Sequence, residues 1–381
     1  MIGSIGNDCV GCFGCINICP IEKCISFEPN KEGFFYPKVN EEKCKKCKKC
    51  IKVCPVINKI EINTKPIAYA CFNKEEDIRE QSTSGGIFTL VATEIINENG
   101  VVFGAKFNDS FDVEHDYIDK LEEIRIFRGS KYVQSKIGYT FIEVKKFLDE
   151  ERTVLFSGTP CQIVGLKSFL GIDYENLICI DIICHGVPSP LVWDKYKNEI
   201  SKGKKITDVS FRDKTYGWKD YSFRMDFDDG TRYFEKGAEN KYIRGFIGDI
   251  YLRNSCYNCN FKSLNRQSDI TLADFWGIEN INKQMDDGKG TSLIIVNSDK
   301  GNKILQKIQY KIKMSKVNLN ESIKYNMSAI KSSYKNPKRE YFFKNISKYR
   351  FDVLIDKTFR DTLSVRLKNK LYYYAKQLGI K

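Results

Sequence analysis

The sequence predicts a multidomain protein of mixed α+β and α/β class. It places a small cluster-binding unit first, then an α/β core with some antiparallel strands, then a basic helical tail. Three observations predict this. Eight cysteines fall in two matching runs between Cys9 and Cys54. Apolar, β-rich stretches then alternate with helix-patterned ones, which favours a largely parallel sheet. Finally, Lys331 to Lys381 holds 14 Lys and Arg against 4 Asp and Glu. The chain divides at this stage into residues 1–60, 66–175, 176–320 and 330–381.

The first run is Cys9, Cys12, Cys15 and Cys19, followed by Pro20; the second is Cys44, Cys47, Cys50 and Cys54, followed by Pro55. This is the spacing of a bacterial ferredoxin written twice, and it reads as two [4Fe-4S] clusters. Three thiolates two residues apart wrap a loop around one face of a cubane, and the proline ends the loop without a spare N–H. In such pairs the fourth cysteine of each run ligates the other cluster. One cluster therefore takes Cys9, Cys12, Cys15 and Cys54, and the second takes Cys44, Cys47, Cys50 and Cys19. Isolated C-x2-C pairs would suit zinc as well; two complete runs, each closed by Cys-Pro, favour the cubanes. Disulfides suit so dense a set less.

Composition bounds the rest. A chain of 381 residues with 42% hydrophobic content can bury a sizeable core. Met1 to Asp8 does not resemble an export signal, and no stretch has the length of a membrane span. Fifteen cysteines in such a chain point to a reducing cytoplasm, and exposed clusters to an anaerobic setting. The net charge of +13 is concentrated in the tail. That tail is either a solvated helix or a contact for an acidic surface: a ferredoxin, a phosphate-bearing substrate or an anionic membrane. A nucleic-acid binder is disfavoured, because the charge lies away from the cysteines and their spacing is not a finger pattern.

Taken in order, Glu28 to Glu42 joins the two halves of the repeat, Cys24 stands outside both runs as a small buried hydrophobe, and Ile60 to Pro66 is a polar linker. Ile67–Phe72 reads as a strand. Gln81 to Gly86 is a Ser/Gly turn opening a helix over 87–97, and Gly100 stops it. Strands follow at 101–107, 153–157 and 177–183, with helices over 137–148 and from Pro160 to Leu170. Antiparallel strands are expected at 209–212, 221–227 and 231–234, the last two joined by Asp228-Asp229-Gly230. A helix over 241–252, strands at 269–273 and 291–296, and a helix over 301–312 complete the core. In the tail, Leu363, Leu367, Leu371 and Leu378 suggest an amphipathic helix.

Seven cysteines remain. Cys71 and Cys179 lie in apolar strands and read as core. Cys161 and Cys184 each follow the carboxyl end of a strand, where α/β folds place ligands, and Cys256 and Cys259 form a C-x2-C pair. On spacing, these four allow a third [4Fe-4S] cluster, a zinc site or unrelated thiols. The Ser82-Thr83-Ser84-Gly85-Gly86 turn before a helix is either a phosphate cradle or a simple cap, and Gly158-Thr159 is a similar candidate. Neither a dinucleotide fingerprint nor a P-loop is present.

The segments STSGGIF (82–88), GSKYVQS (129–135), SGTPCQ (157–162), CHGVPSP (184–190), CYNC (256–259) and ADFWG (273–277) together resemble the coenzyme F420 hydrogenase/dehydrogenase beta-subunit family over roughly 66–312. The resemblance implies an iron–sulfur flavoprotein whose α/β core binds FAD. By it, Ser82, Thr83, Ser84, Gly85, Gly86, Gly158 and Thr159 become FAD contacts, and Cys161, Cys184, Cys256 and Cys259 ligands of a third [4Fe-4S] cluster.

The expected activity is electron transfer between a redox partner, such as ferredoxin or a catalytic subunit, and a small-molecule substrate or hydride carrier. The rival reading is a relay subunit without its own substrate. His185 reads as a local structural residue beside a ligand. Lys131, Arg212, Asp274 and Trp276 are candidates for lining the pocket. No catalytic acid is assigned, and the use of F420 itself is left open.

Overall fold

The computed structural model describes residues 2–59 and 62–360. In the first unit, α1 (Gly14–Asn17) and α2 (Lys49–Lys52) each follow the third-from-last cysteine of a run. The two runs trace the same backbone: Gly11 and Lys46 both adopt positive φ (68° and 53°), as do Phe13 and Lys48 (63° and 62°). Between them, β1 (Ile25–Pro29) and β2 (Phe35–Val39) pair antiparallel, with Ile25 opposite Val39. The sequence reads this stretch only as a connection. Its turn is fixed by Asn30, whose side-chain oxygen accepts from the N–H groups of Glu32 and Phe34, both at 3.0 Å.

The core is built on eight strands. β3 (Ile67–Asn73) leads through α3 (Glu76–Glu80) into α4 (Ile87–Asn97), whose apolar face, including Leu90, Val91 and Ile95, is buried on the sheet. β4 (Val101–Phe107), β5 (Val113–Ile118), α5 (Thr140–Asp149), β6 (Val154–Gly158), α6 (Pro160–Leu170) and β7 (Leu177–Ile182) follow. After α7 (Pro190–Ser201), β8 (Ile206–Asp213), β9 (Ser222–Phe227) and β10 (Arg232–Lys236) form a separate antiparallel sheet. Then come α8 (Lys241–Ile247), β11 (Ile270–Asp274), α9 (Ile278–Ile281), β12 (Ser292–Val296), α10 (Asp299–Ile308), β13 (Ile312–Val317) and α11 (Leu319–Ile323).

The main sheet runs β13-β3-β12-β11-β7-β6-β4-β5. Only its middle, β11-β7-β6-β4, is parallel; the pairings outside it are antiparallel. The expectation of a largely parallel sheet therefore holds for the central layer and not for the edges. Two edge strands escaped the sequence. β5 carries charged residues that mask its period, and β13 follows directly on α10, where the sequence predicts a longer helix. The helix expected over 241–252 also ends early, at Ile247, before Asp249 takes a positive φ of 58°.

The basic segment after residue 330 is not simply solvated. α12 (Arg339–Asn345) and α13 (Phe351–Phe359) insert Phe342, Phe351, Leu354 and Ile355 into the aromatic core around Trp193, Phe223 and Tyr242. The leucine pattern from Leu363 to Leu378 lies outside the described residues. Among the described residues no helix is long and apolar enough to cross a membrane.

Candidate functional site

The two ferredoxin-type cysteine sets are brought together crosswise. Cys9, Cys12, Cys15 and Cys54 are all buried. Cys54 is an electrostatic neighbour of Cys9, Cys12 and Cys15 although it comes from the other run. Burial pushes the Cys12 thiol up to about 12, with the neighbouring thiols adding to it. Cys19, Cys44, Cys47 and Cys50 border a cavity of about 210 Å³. The buried Cys24 borders it too, so it packs beside the ligand set rather than elsewhere in the core. Among the described residues no three His, Cys, Asp or Glu side chains converge on a single ion; the thiols gather around spaces instead.

The first set lies against the core. The Cα of Gly165, on α6, faces Cys12 so closely that a Cβ there would stand 2.7 Å from the Cys12 Cβ. Phe13 stacks on Phe27 with ring centroids 3.9 Å apart, and the Asn17 amide donates to Gly138 O at 2.8 Å. Arg253 is fully buried between the units. It donates to Cys9 O at 2.6 Å, to the Gln134 side chain at 3.0 Å and to Phe35 O at 2.9 Å.

The second group of cysteines also converges. Cys161 sits in the first turn of α6, Cys184 just beyond β7, and Cys256 and Cys259 at the turn after Arg253. All four border one small cavity of about 30 Å³, together with Val10 of the first unit. Burial and the mutual repulsion of thiolates push Cys184 up to about 12. Burial does the same to Cys256, to about 11. Lys262 and Arg266 offset this in part at Cys184.

Beside it opens a cavity of about 620 Å³, within the range of roughly 300–1,000 Å³ typical of cofactor pockets. It lies beyond the carboxyl ends of the parallel strands, where such sheets hold ligands. Thr159, Cys184, Gly186, Val187 and Ser328 border both this cavity and the four-cysteine one. Of the expected contacts, Ser82, Thr83, Ser84, Gly86, Gly158 and Thr159 line it, as do Lys131, His185, Arg212, Asp274 and Trp276. Gly85 does not. It packs behind the turn, where a Cβ would stand 2.6 Å from Cys71 O, and its N–H donates to the Ser292 hydroxyl at 2.9 Å.

The two candidate turns differ in what they leave open. Thr159 closes the start of α6 with a capping box to Gln162. Gly86, at φ 78°, starts α4 with no side-chain cap, and Gly86, Ile87, Phe88 and Thr89 at that helix start line the cavity. Arg128 reaches the same end, donating to the Gln81 side chain at 2.7 Å and to the Thr89 hydroxyl at 3.2 Å. This end suits an anion. The three hydroxyls are partly spent on the fold: Ser82 donates to Ile78 O and Ser84 to Thr291 O.

At the other side, Arg212 pairs with Asp274 and lies over the rings of Tyr221 (4.5 Å) and Trp276 (5.2 Å). Trp218 stacks on Trp276 at 4.7 Å. Arg212, Asp274 and His115 line the cavity, and Arg212 Nε, Asp274 Oδ1 and His115 Nδ1 are buried without a protein partner. Burial lowers the Lys131 amine to about 7. His185 Nε2 donates to Asp249 Oδ1 at 2.7 Å, and its carbonyl accepts from Lys262 and Ser333. Arg128, His115, Gln162 and Arg253 were missed as site residues. They come from four separate stretches with no motif to announce three of them; only Gln162 lies within one of the recognisable segments.

Comparison with known proteins gives two matching segments. Residues 151–322 match the family of the carboxyl-terminal region of the coenzyme F420 hydrogenase/dehydrogenase beta subunit, and residues 8–58 match the 4Fe-4S dicluster domain. No curated protein matches. Among solved structures, one chain from "Xenon derivatization of the F420-reducing [NiFe] hydrogenase complex from Methanosarcina barkeri" is similar at 15% identity and a TM-score of 0.44, over 72% of this chain and 97% of that one. The chain thus carries a segment similar to the carboxyl-terminal region of the coenzyme F420 hydrogenase/dehydrogenase beta subunit, with a 4Fe-4S dicluster domain at its amino-terminal side.

Proposed function

We propose that this protein is an iron–sulfur flavoprotein oxidoreductase, exchanging electrons between a partner protein and a small organic substrate or hydride carrier bound in the large cavity. The observation that carries the reading is the shared wall. A cofactor-sized cavity and a four-cysteine site have Thr159, Cys184, Gly186, Val187 and Ser328 in common. A relay alone would need no such cavity.

The chain's residues fit the groups this requires. Cys9, Cys12, Cys15 and Cys54 would hold one [4Fe-4S] cluster, Cys19, Cys44, Cys47 and Cys50 a second, and Cys161, Cys184, Cys256 and Cys259 a third. The three sites would run from an exposed edge at Cys47, through the buried set against α6, to the cavity wall. FAD, when bound, supplies the exchange between single electrons and electron pairs. The open start of α4 and Arg128 would hold its phosphates. Arg212, Asp274 and the Trp276 face would orient a planar ring, and Lys131, poised near neutrality, would hold or release a proton beside it.

The test is iron, sulfide and released flavin on one anaerobic preparation, repeated with Cys161→Ala. About twelve iron and one FAD are expected, falling to about eight iron in the variant with the dicluster EPR signals retained. About eight iron and no flavin in the parent protein would leave a relay subunit and overturn the flavoenzyme reading.

A further inference from the structure

The two halves of the dicluster unit trace the same backbone with different residues between the cysteines. The first run places Val10, Gly11, Phe13 and Gly14 there, and the second places Lys45, Lys46, Lys48 and Lys49. Because the backbones match, including the positive φ at both equivalent positions, cluster binding does not require the lysines. Lys46 even occupies a left-handed position that its counterpart Gly11 adopts without strain.

The difference follows the environment. The first run is buried against the core. The second is at the surface: Cys47 is exposed, and Lys43, Lys45, Lys46, Lys48, Lys49 and Lys52 are exposed around it. Four of them border the cavity of the second cysteine set. Among the described residues none of these ammonium groups pairs with a carboxylate. Glu41 and Glu42 are the only acidic groups in the same stretch.

We propose that this lysine ring is the docking surface for an acidic one-electron carrier protein, and that electrons cross at the Cys19/Cys44/Cys47/Cys50 site. Cys19, Cys44, Cys47 and Cys50 would hold the cluster that accepts one electron from the reduced carrier, the carrier being oxidised and the cluster reduced with no change of bond or proton. Unpaired cations around an exposed redox edge steer an anionic protein to it and fix its orientation, the task for which rim charges are most effective. The inference needs the dicluster unit only, and stands whether or not the large cavity holds FAD.

The experiment uses the full-length, cluster-loaded protein and an acidic two-cluster ferredoxin as probe. Its readouts are Kd as a function of salt, carbodiimide cross-links, and the rate of reduction in stopped flow. Lys45→Glu, Lys46→Glu, Lys48→Glu and Lys49→Glu combined should weaken binding about tenfold or more at low salt, flatten the salt dependence and remove cross-links to this loop. Reduction by the methyl viologen radical cation should not slow, because the reversal removes the repulsion of that cation. The combined Lys→Gln variant, which leaves no new charge beside the ligands, should give a smaller loss in the same direction, and iron content confirms that both variants are loaded. Unchanged Kd in loaded variants would overturn the proposal. So would an equal slowing with methyl viologen, which would trace the effect to the cluster's potential. Loss of ferredoxin binding only on reversing Lys344 and Lys348 would overturn it too, in favour of the tail.

Discussion

His115 shows how a single buried ring ties stability to the cavity. It stacks on Phe156, and its Nε2 donates to Ser157 O at 3.0 Å. Burial lowers it from an ordinary 6.5 to about 4. Below pH 6.5 the unfolded chain gains a proton that the folded one refuses, so stability is complete above 6.5 and is lost as pH falls toward 4. Anaerobic urea titrations at pH 7 and 4.5 should show a loss on the order of 2–3 kcal/mol that His115→Gln removes. Lys131 works on the other flank. Its amine donates to Arg128 O and Gly129 O, and burial outweighs the pull of Asp208. Folded, it loses its proton near 7, while the unfolded chain keeps it to about 10.5. Stability should therefore rise with pH over that window, and Lys131→Met should flatten the rise in the same titrations.

At the scale of elements, the turn between α3 and α4 is held from behind. Gly85 has no room for a side chain against Cys71 O and Ser292. Arg79 closes the same end, donating to Asp287 at 2.7 and 2.6 Å and to Gly290 O. Gly85→Ala should push the turn into the cavity, destabilise by about 1–3 kcal/mol and reduce retained flavin while leaving iron unchanged. Flavin and iron assays on one sample separate these effects. Loss of iron instead would mean that the turn supports the cysteines and not the cavity.

At the scale of the molecule, the first unit is bound to the core by buried polar ties as well as by packing. Besides Arg253, Arg339 donates to both oxygens of Glu32 at 2.6 Å and to Leu252 O. The segment after residue 330 therefore reaches back to the amino-terminal unit. Arg253→Met would strand three acceptors in a dry interface, at a cost of about 2–4 kcal/mol. Chelator challenge followed by EPR should show the Cys9/Cys12/Cys15/Cys54 site losing iron several-fold faster, with the outer site little changed.

Local chemistry determined what was legible in this sequence. Thiolate spacing is a short-range constraint, so the two cysteine runs could be read directly, and their apolar strands marked Cys71 and Cys179 as buried. Strand and helix periods located most core elements to within a few residues, because burial on one face imposes them. What the tertiary structure alone decided is long-range. It made Cys161, Cys184, Cys256 and Cys259 neighbours, and turned a basic tail segment into aromatic core. It set β5 and β13 on sheet edges, where charged residues hide the strand period. It also separated two look-alike turns, one closed by Gln162 and one left open at Gly86. Those outcomes depend on which surfaces meet, and residues far apart in the chain carry no local sign of one another until packing places them together.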